Sequence, residues 1–219
     1  MSKNILMMAI LAMVFISGCA TVQPYNYSAL TKAAPHSILV LPPLNSSVEV
    51  DAPYTYLSTI SQPLAEKGYY VFPVSVVDSF LKENGLPTPA EMNGITLDKI
   101  DEIIGADAVL YVHIEDWGQK YRALLSVAVV KGHIKLVSVK TGELLWDSVI
   151  QAEYSPNTNN SAGLIGSLVG AVVSQIAGEV VDNTPLAARL ANDTAINSEK
   201  TGLLDGPYKR YKDGAKTSK

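Results

Sequence analysis

Cysteine occurs once in the 219 residues, at Cys19. That excludes an internal disulfide, a cysteine-built zinc cluster and a catalytic thiol anywhere else in the chain. Histidine is almost as scarce. His36, His113 and His133 are the three, and none has a second histidine or a cysteine at the spacing of a recognisable metal site. No metal and no cofactor is therefore expected. The formal net charge of −4 lacks the basic excess that electrostatic binding to nucleic acid needs, so no nucleic-acid partner is expected. A GxSxG nucleophile elbow and a Walker-type phosphate loop are also missing.

What is present begins at the amino terminus. Lys3 supplies a positive charge, Ile5 to Ile16 is an apolar run too short to span a bilayer comfortably, and the small residues Ser17 and Gly18 precede Cys19. This is the pattern of an export signal over residues 1–18. The order Ile16-Ser17-Gly18-Cys19 resembles the lipobox of bacterial lipoproteins. The resemblance implies that the thiol takes a diacylglycerol, that the peptide is cut before the cysteine, and that the new amine takes a further acyl group such as palmitate. Several acyl chains anchor stably where one does not. Ala20 stands where aspartate favours retention in the inner membrane of such lipoproteins, so the resemblance implies an outer-membrane anchor with the domain facing the periplasm.

Residues 19–35 are polar and aperiodic and read as a lipidated tether reaching at most about 50 Å. Tyr25 and Tyr27 either pack on the domain behind it or lie at the lipid interface. With 47% hydrophobic residues, residues 36–205 can bury the core of a single domain. Ser37 to Leu41 reads as a buried strand stopped by Pro42-Pro43, and helical spacing runs from Tyr54 to a stop at Gly68. A second strand is expected over Tyr69 to Val74, a helix over Val76 to Leu81, and another through Leu97 and Ile100 to Gly105. From Ala108 to Trp117 apolar and polar residues alternate; Leu124 to Val139 is one long strand or two, with a bulge or bend at Gly132. Lys140-Thr141-Gly142-Glu143 turns the chain into a return strand from Leu144 to Tyr154. Parallel and antiparallel halves together give an α/β fold, a mixed sheet with helices packed on it.

The segments ILVLPP, GADAVLYVHIEDW and LVSVKTGELLWDS resemble the periplasmic lipoproteins that share a sandwich fold with the TolB amino-terminal domain, among them the curli secretion lipoprotein CsgG and the peptidoglycan-synthase activator LpoB. The carboxy-terminal GLLDGPYKRYKDG, with the lipobox and the first strand, is similar more narrowly to a lipoprotein family that includes a neisserial surface-antigen candidate. The resemblance implies association with CsgG-like lipoproteins and a part in assembling envelope complexes.

From Ser161 to Asp182, small residues recur every fourth position, at Ala162, Gly166, Gly170, Ser174 and Gly178, forming one smooth stripe on a helix. Leu164, Ile165, Leu168, Val169, Val172, Val173 and Ile176 fill most of the remaining surface. A core helix seated on the sheet, an oligomer contact and a membrane-inserting helix all fit this pattern. Each glycine costs an isolated helix about 1 kcal/mol relative to alanine, so a packing partner must offset it.

The remaining titratable groups read as structural. His113 and Glu115 share a strand face and permit an acid–base pair, while Asp98, Asp101 and Glu102 form the solvated face of an amphipathic helix. Residues 206–219, with Lys209, Arg210, Lys212, Lys216 and Lys219, read as a mobile basic tail. The sequence thus points to a non-catalytic outer-membrane lipoprotein, a binding or assembly subunit partnered by other envelope lipoproteins or by itself. The alternative is a periplasmic regulator that docks on a peptidoglycan synthase.

Overall fold

The computed structural model describes residues 24–122, 125–155 and 182–210. The elements are α1 (Ser28–Ala33), β1 (Ser37–Val40), β2 (Leu44–Asn45), α2 (Ala52–Glu66), β3 (Tyr70–Val71) and α3 (Val74–Glu83), followed by α4 (Pro89–Asn93) and α5 (Leu97–Ile103). Strands β4 (Ala108–Arg122), β5 (Leu125–Ser138) and β6 (Leu144–Tyr154) and helix α6 (Thr184–Ile196) complete the described chain. The fold is mixed α/β, built on a six-stranded sheet of order β3-β1-β4-β5-β6 with β2 also on β4. β1 pairs in parallel with β3 and β4, whereas β4, β5 and β6 form an antiparallel meander.

The two short strands β1 and β2 lie end to end along β4. Val40 pairs with Leu110 and Leu44 with His113, so Pro42-Pro43 falls where the short side carries one extra residue. Proline has no N–H to give to the ladder, and an irregularity in the pairing is where it is tolerated.

Each sheet face has its own core. On one face Ile38, Val40, Leu110, Ile114, Ile134, Leu136 and Trp146 meet Tyr56, Ile60 and Leu64 of α2 and Ala187, Ala188, Ala191 and Ala195 of α6. On the other, Leu39, Leu41 and Val109 meet Val77 and Leu81 of α3, Met92 of α4 and Ile100 of α5. The alanine stripe of α6 presents only methyl groups, so its backbone can approach the sheet closely. Between α2 and α6, Asn192 accepts from the Tyr56 hydroxyl at 2.7 Å and donates to Thr59 Oγ1 at 3.0 Å. All three residues are buried, and the mutual bonds satisfy polar groups that would otherwise be costly there.

The structure differs from the sequence expectation at several places. Residues 28–33, assigned to an aperiodic tether, form α1, whose Leu30 is buried in the core. Tyr69 to Val74 yields only the two-residue β3 before the chain enters α3 at Val74, because Pro73 ends the ladder and opens the helix. Helices α4 and α6 were not expected. Residues 206–209, assigned to the mobile tail, are bonded to the fold: Gly206 N–H donates to Lys67 O at 2.7 Å, Tyr208 N–H to Gly68 O at 2.9 Å, and Lys209 Nζ to Glu66 O at 2.6 Å. This docking requires glycine twice. Gly68 has φ +92, and a β-carbon at Gly68 would collide with the Lys209 backbone, one at Gly206 with Gly68.

Candidate functional site

The pairing of β4 with β5 slips by one residue between Ile114 and Asp116. Ile114 lies opposite Gly132 and Asp116 opposite Lys131, leaving Glu115 as the bulged residue. The irregularity expected at Gly132 is thus carried by the strand facing it. A β-carbon at Gly132 would collide with the His113 carbonyl, so glycine permits the close approach. The bulge redirects the Glu115 carboxylate across the sheet, where it meets His133 Nε2 at 2.9 Å and Lys131 Nζ at 3.1 Å.

His113, the expected partner of Glu115, instead lies within hydrogen-bond distance of Ser46, with Nε2 to Oγ at 2.8 Å, while standing directly opposite His133 in register. The pair read from sequence is therefore replaced by Glu115–His133, because strict alternation does not survive a bulge. The hydrogen bond from Lys131 holds the Glu115 carboxyl below the usual carboxylate range, with the Lys131 and histidine charges adding to it. Nearly half of the Lys131 and His133 side chains is solvent-exposed. The cluster lies on a solvent-exposed strand surface, the setting in which ion pairs contribute little and proton-transfer groups are not held in a dry pocket.

Among the described residues, two clefts lie elsewhere. The larger, of about 410 Å³, runs between α3, α4 and α5 and is lined by Phe80, Leu81, Leu86, Ile95, Ile100 and Ile103. Glu91 and Lys99 also line it, but the Glu91 carboxylate is engaged by the Thr88 N–H and hydroxyl in the capping box of α4. The smaller, of about 310 Å³, lies where α1 meets the returning carboxy-terminal segment, among Leu30, Ala34, His36, Tyr69, Leu204 and Pro207. Burial, with the nearby Asp205 charge, pushes the Tyr69 hydroxyl up to about 12, and it donates to Leu204 O at 2.9 Å.

Sequence reasoning missed one polar anchor and left a second open. Asp107, just before β4, accepts from the His36 and Ser37 N–H groups at 3.0 Å each and from the Ser37 hydroxyl at 2.9 Å. Burial opposes ionisation there, but these three donors outweigh it and hold the carboxyl below its ordinary range. The second is Tyr25, whose hydroxyl donates to Asp147 Oδ1 at 2.8 Å and accepts from the Asp147 N–H at 2.9 Å. Burial pushes this hydroxyl up to about 12; the Asp147 N–H pulls the other way and its carboxylate adds to the rise. Tyr27 packs on Tyr25 with ring centroids 4.7 Å apart and donates to Gly202 O at 2.6 Å. Of the two placements open for these tyrosines, the structure has the packed one.

Asp98, Asp101 and Glu102 are exposed on α5, as the amphipathic pattern requires. Among the described residues, no group of three or more His, Cys, Asp or Glu is arranged to hold a metal, and no helix is long and apolar enough to cross a membrane. Cys19 with Ile16, Ser17 and Gly18, and the stripe Ala162, Gly166, Gly170, Ser174 and Gly178, lie outside the described residues.

Comparison with known proteins places this architecture. The chain is 35% identical over 205 residues to "Putative lipoprotein NMB1124/NMB1162" of Neisseria meningitidis serogroup B, covering 92% of this chain and 95% of that one. The crystal structure of lipoprotein GNA1162 from Neisseria meningitidis superposes with a TM-score of 0.54 at 42% identity, covering 65% of this chain and 99% of that one. E. coli LpoB superposes with a TM-score of 0.38 at 16% identity, over 64% of this chain and 74% of LpoB. A model of the family described as "Putative lipoprotein GNA1162-like" matches residues 25–208, from the tyrosine at the sheet edge to the docked Tyr208, and the chain belongs to that family.

Proposed function

We propose that this protein is an outer-membrane lipoprotein, lipidated at Cys19, whose periplasmic α/β domain is a non-catalytic binding or assembly subunit of an envelope complex containing CsgG-like lipoproteins. The observation that carries this reading is the separation of the larger, mainly apolar cleft from the Glu115–His133–Lys131 cluster. Enzyme sites gather perturbed ionisable groups inside a concave, water-poor pocket. Here the larger cleft is lined mainly by aliphatic side chains and Phe80, while Glu115, His133 and Lys131 pair on an open strand surface. Apolar lining with a polar rim suits a protein contact better than a reaction. Membership of a lipoprotein family and the lipobox at residues 16–19 support the anchor.

The test is affinity capture of the full-length protein from envelope membranes in mild detergent, with sizing and mass spectrometry. Two variants accompany it: Ile103→Asp in the apolar cleft and Gly170→Leu in the small-residue stripe. A complex of defined size containing a second envelope lipoprotein, lost in either variant while the thermal midpoint holds, supports the assembly role. A monomer with no envelope partner overturns it. Stimulation of a peptidoglycan synthase by the purified domain would replace it with the regulatory alternative.

A further inference from the structure

Among the described residues the sheet order ends at β6, and Tyr25, near the start of those residues, is held on it. Tyr25 holds both the carboxylate and the N–H of Asp147, Tyr27 holds Gly202 O, and α1 follows at once with Leu30 in the core. Only six residue steps separate Cys19 from Tyr25. At about 3.3–3.6 Å per residue those steps reach about 20 Å fully extended, less than half the span the sequence alone allowed. A folded body of this size has a radius of gyration of about 16 Å and is about 40 Å across. The tether is therefore shorter than the domain it carries, and the domain cannot turn freely on it.

We propose that α1, the Tyr25–Asp147 edge of β6 and the loop through Lys200 to Gly202 form a membrane-facing surface held against phospholipid headgroups by the tyrosine pin. The inference rests on lipidation of Cys19. The exposed residues here suit a headgroup layer and not its hydrocarbon: Asn26, Ser28, Thr31, Lys32, Glu199 and Lys200 are polar or charged. With this surface against the bilayer, α3, α4 and α5 lie at the other end of the sheet and on its other face, so their apolar cleft opens away from the membrane.

The only native cysteine carries the lipid in this reading, so an introduced one labels uniquely. Spin labels at Ser28→Cys and, separately, Asp101→Cys are read in the full lipidated protein, in vesicles of phosphatidylethanolamine and phosphatidylglycerol doped with a headgroup-chelated gadolinium lipid. Flotation with the vesicles and the mass of the acylated amino-terminal peptide are recorded first. The expected result is relaxation several-fold faster at 28 than at 101, with the difference collapsing in a Tyr25→Phe/Tyr27→Phe protein that still folds and floats. Equal relaxation at the two sites, or a contrast unchanged by removing both hydroxyls, overturns the membrane-facing surface while leaving lipidation intact. Failure to float with an unmodified Cys19 overturns the anchor and this inference with it.

Discussion

Gly132 lies so close beneath the carbonyl of His113 that the strand pair has no room for a β-carbon there. The bulge, the redirection of Glu115 and the His113–His133 opposition all depend on that approach. Gly132→Ala must push the strands apart, and overpacking of this kind costs about 1–3 kcal/mol. An unfolding free energy lowered by that amount is expected, whereas Glu115→Gln, which removes only the solvent-screened pairs with Lys131 and His133, is expected to change it far less. Equal effects would mean that the ion pairs and not the close approach hold the bulge.

The buried Tyr56–Asn192–Thr59 network makes a sharper prediction. Asn192→Ala leaves the Tyr56 hydroxyl without the acceptor it has now, and an unsatisfied buried group costs about 1–3 kcal/mol in addition to the lost packing. In a double-mutant cycle, Tyr56→Phe with Asn192→Ala is expected to cost less than the sum of the two single changes, because the double variant leaves no orphaned hydroxyl. Additive losses would show that the hydrogen bond contributes nothing beyond volume.

Acid should loosen the start of the sheet. The Asp107 carboxyl titrates below its ordinary range in the folded chain, so the stability it lends is fully present above the unfolded carboxylate range near pH 4 and disappears as pH falls through its lower folded value. Asp107→Asn is expected to be less stable than the native chain at neutral pH, and to lose less further stability on acidification. Parallel stability–pH curves below pH 4 would remove this carboxylate from the acid transition.

At high pH the tyrosines divide by burial. Tyr25 and Tyr69, each pushed up to about 12, are expected to stay protonated well past the ordinary tyrosine range near 10, so that tyrosinate absorbance still rises towards pH 12 and loses that late rise in Tyr25→Phe/Tyr69→Phe. Their raised values contribute stability below about pH 10 that is lost as pH climbs through about 12. A single step near 10 would place both hydroxyls in water.

Gly206 is expected to tolerate no side chain. Its β-carbon would collide with the Gly68 carbonyl and crowd the Tyr69 ring. In Gly206→Val the Gly206 and Tyr208 amides, which bond Lys67 and Gly68, should exchange with solvent much faster than in the native chain. Unchanged protection would mean that the segment docks through Lys209 alone.

The meander from Ala108 to Tyr154 was legible because alternation over long strands is a strong signal, and α2 because Leu57, Ile60 and Leu64 recur at helical spacing. Helix α6 was not, although it closes one of the two cores. Its inner face is Ala187, Ala188, Ala191 and Ala195, whose methyl groups read much like a surface helix. Asn192, a polar residue buried among them, points away from a core reading until Tyr56 is brought beside it. The Glu115–His133 pair was hidden for a related reason. Sequence shows the parity of one strand, and a bulge changes that parity through contacts made by another. Asp107 and Tyr25 act on backbone groups 70 and 122 residues distant, where no local spacing signals them.

The distance between the helices of the Tyr56–Asn192 contact also bears on how the chain reaches this fold. The partners are 136 residues apart, and α6 supplies one whole wall of its core. Closure over such separations makes folding slow, because loop entropy is lost before contacts compensate for it. Until the chain is made through Ile196, that core lacks one of the two helices that cover it, and α2 rests on the sheet alone. A polypeptide built this way completes the core around Tyr56 and Asn192 only once its carboxy-terminal part has been made.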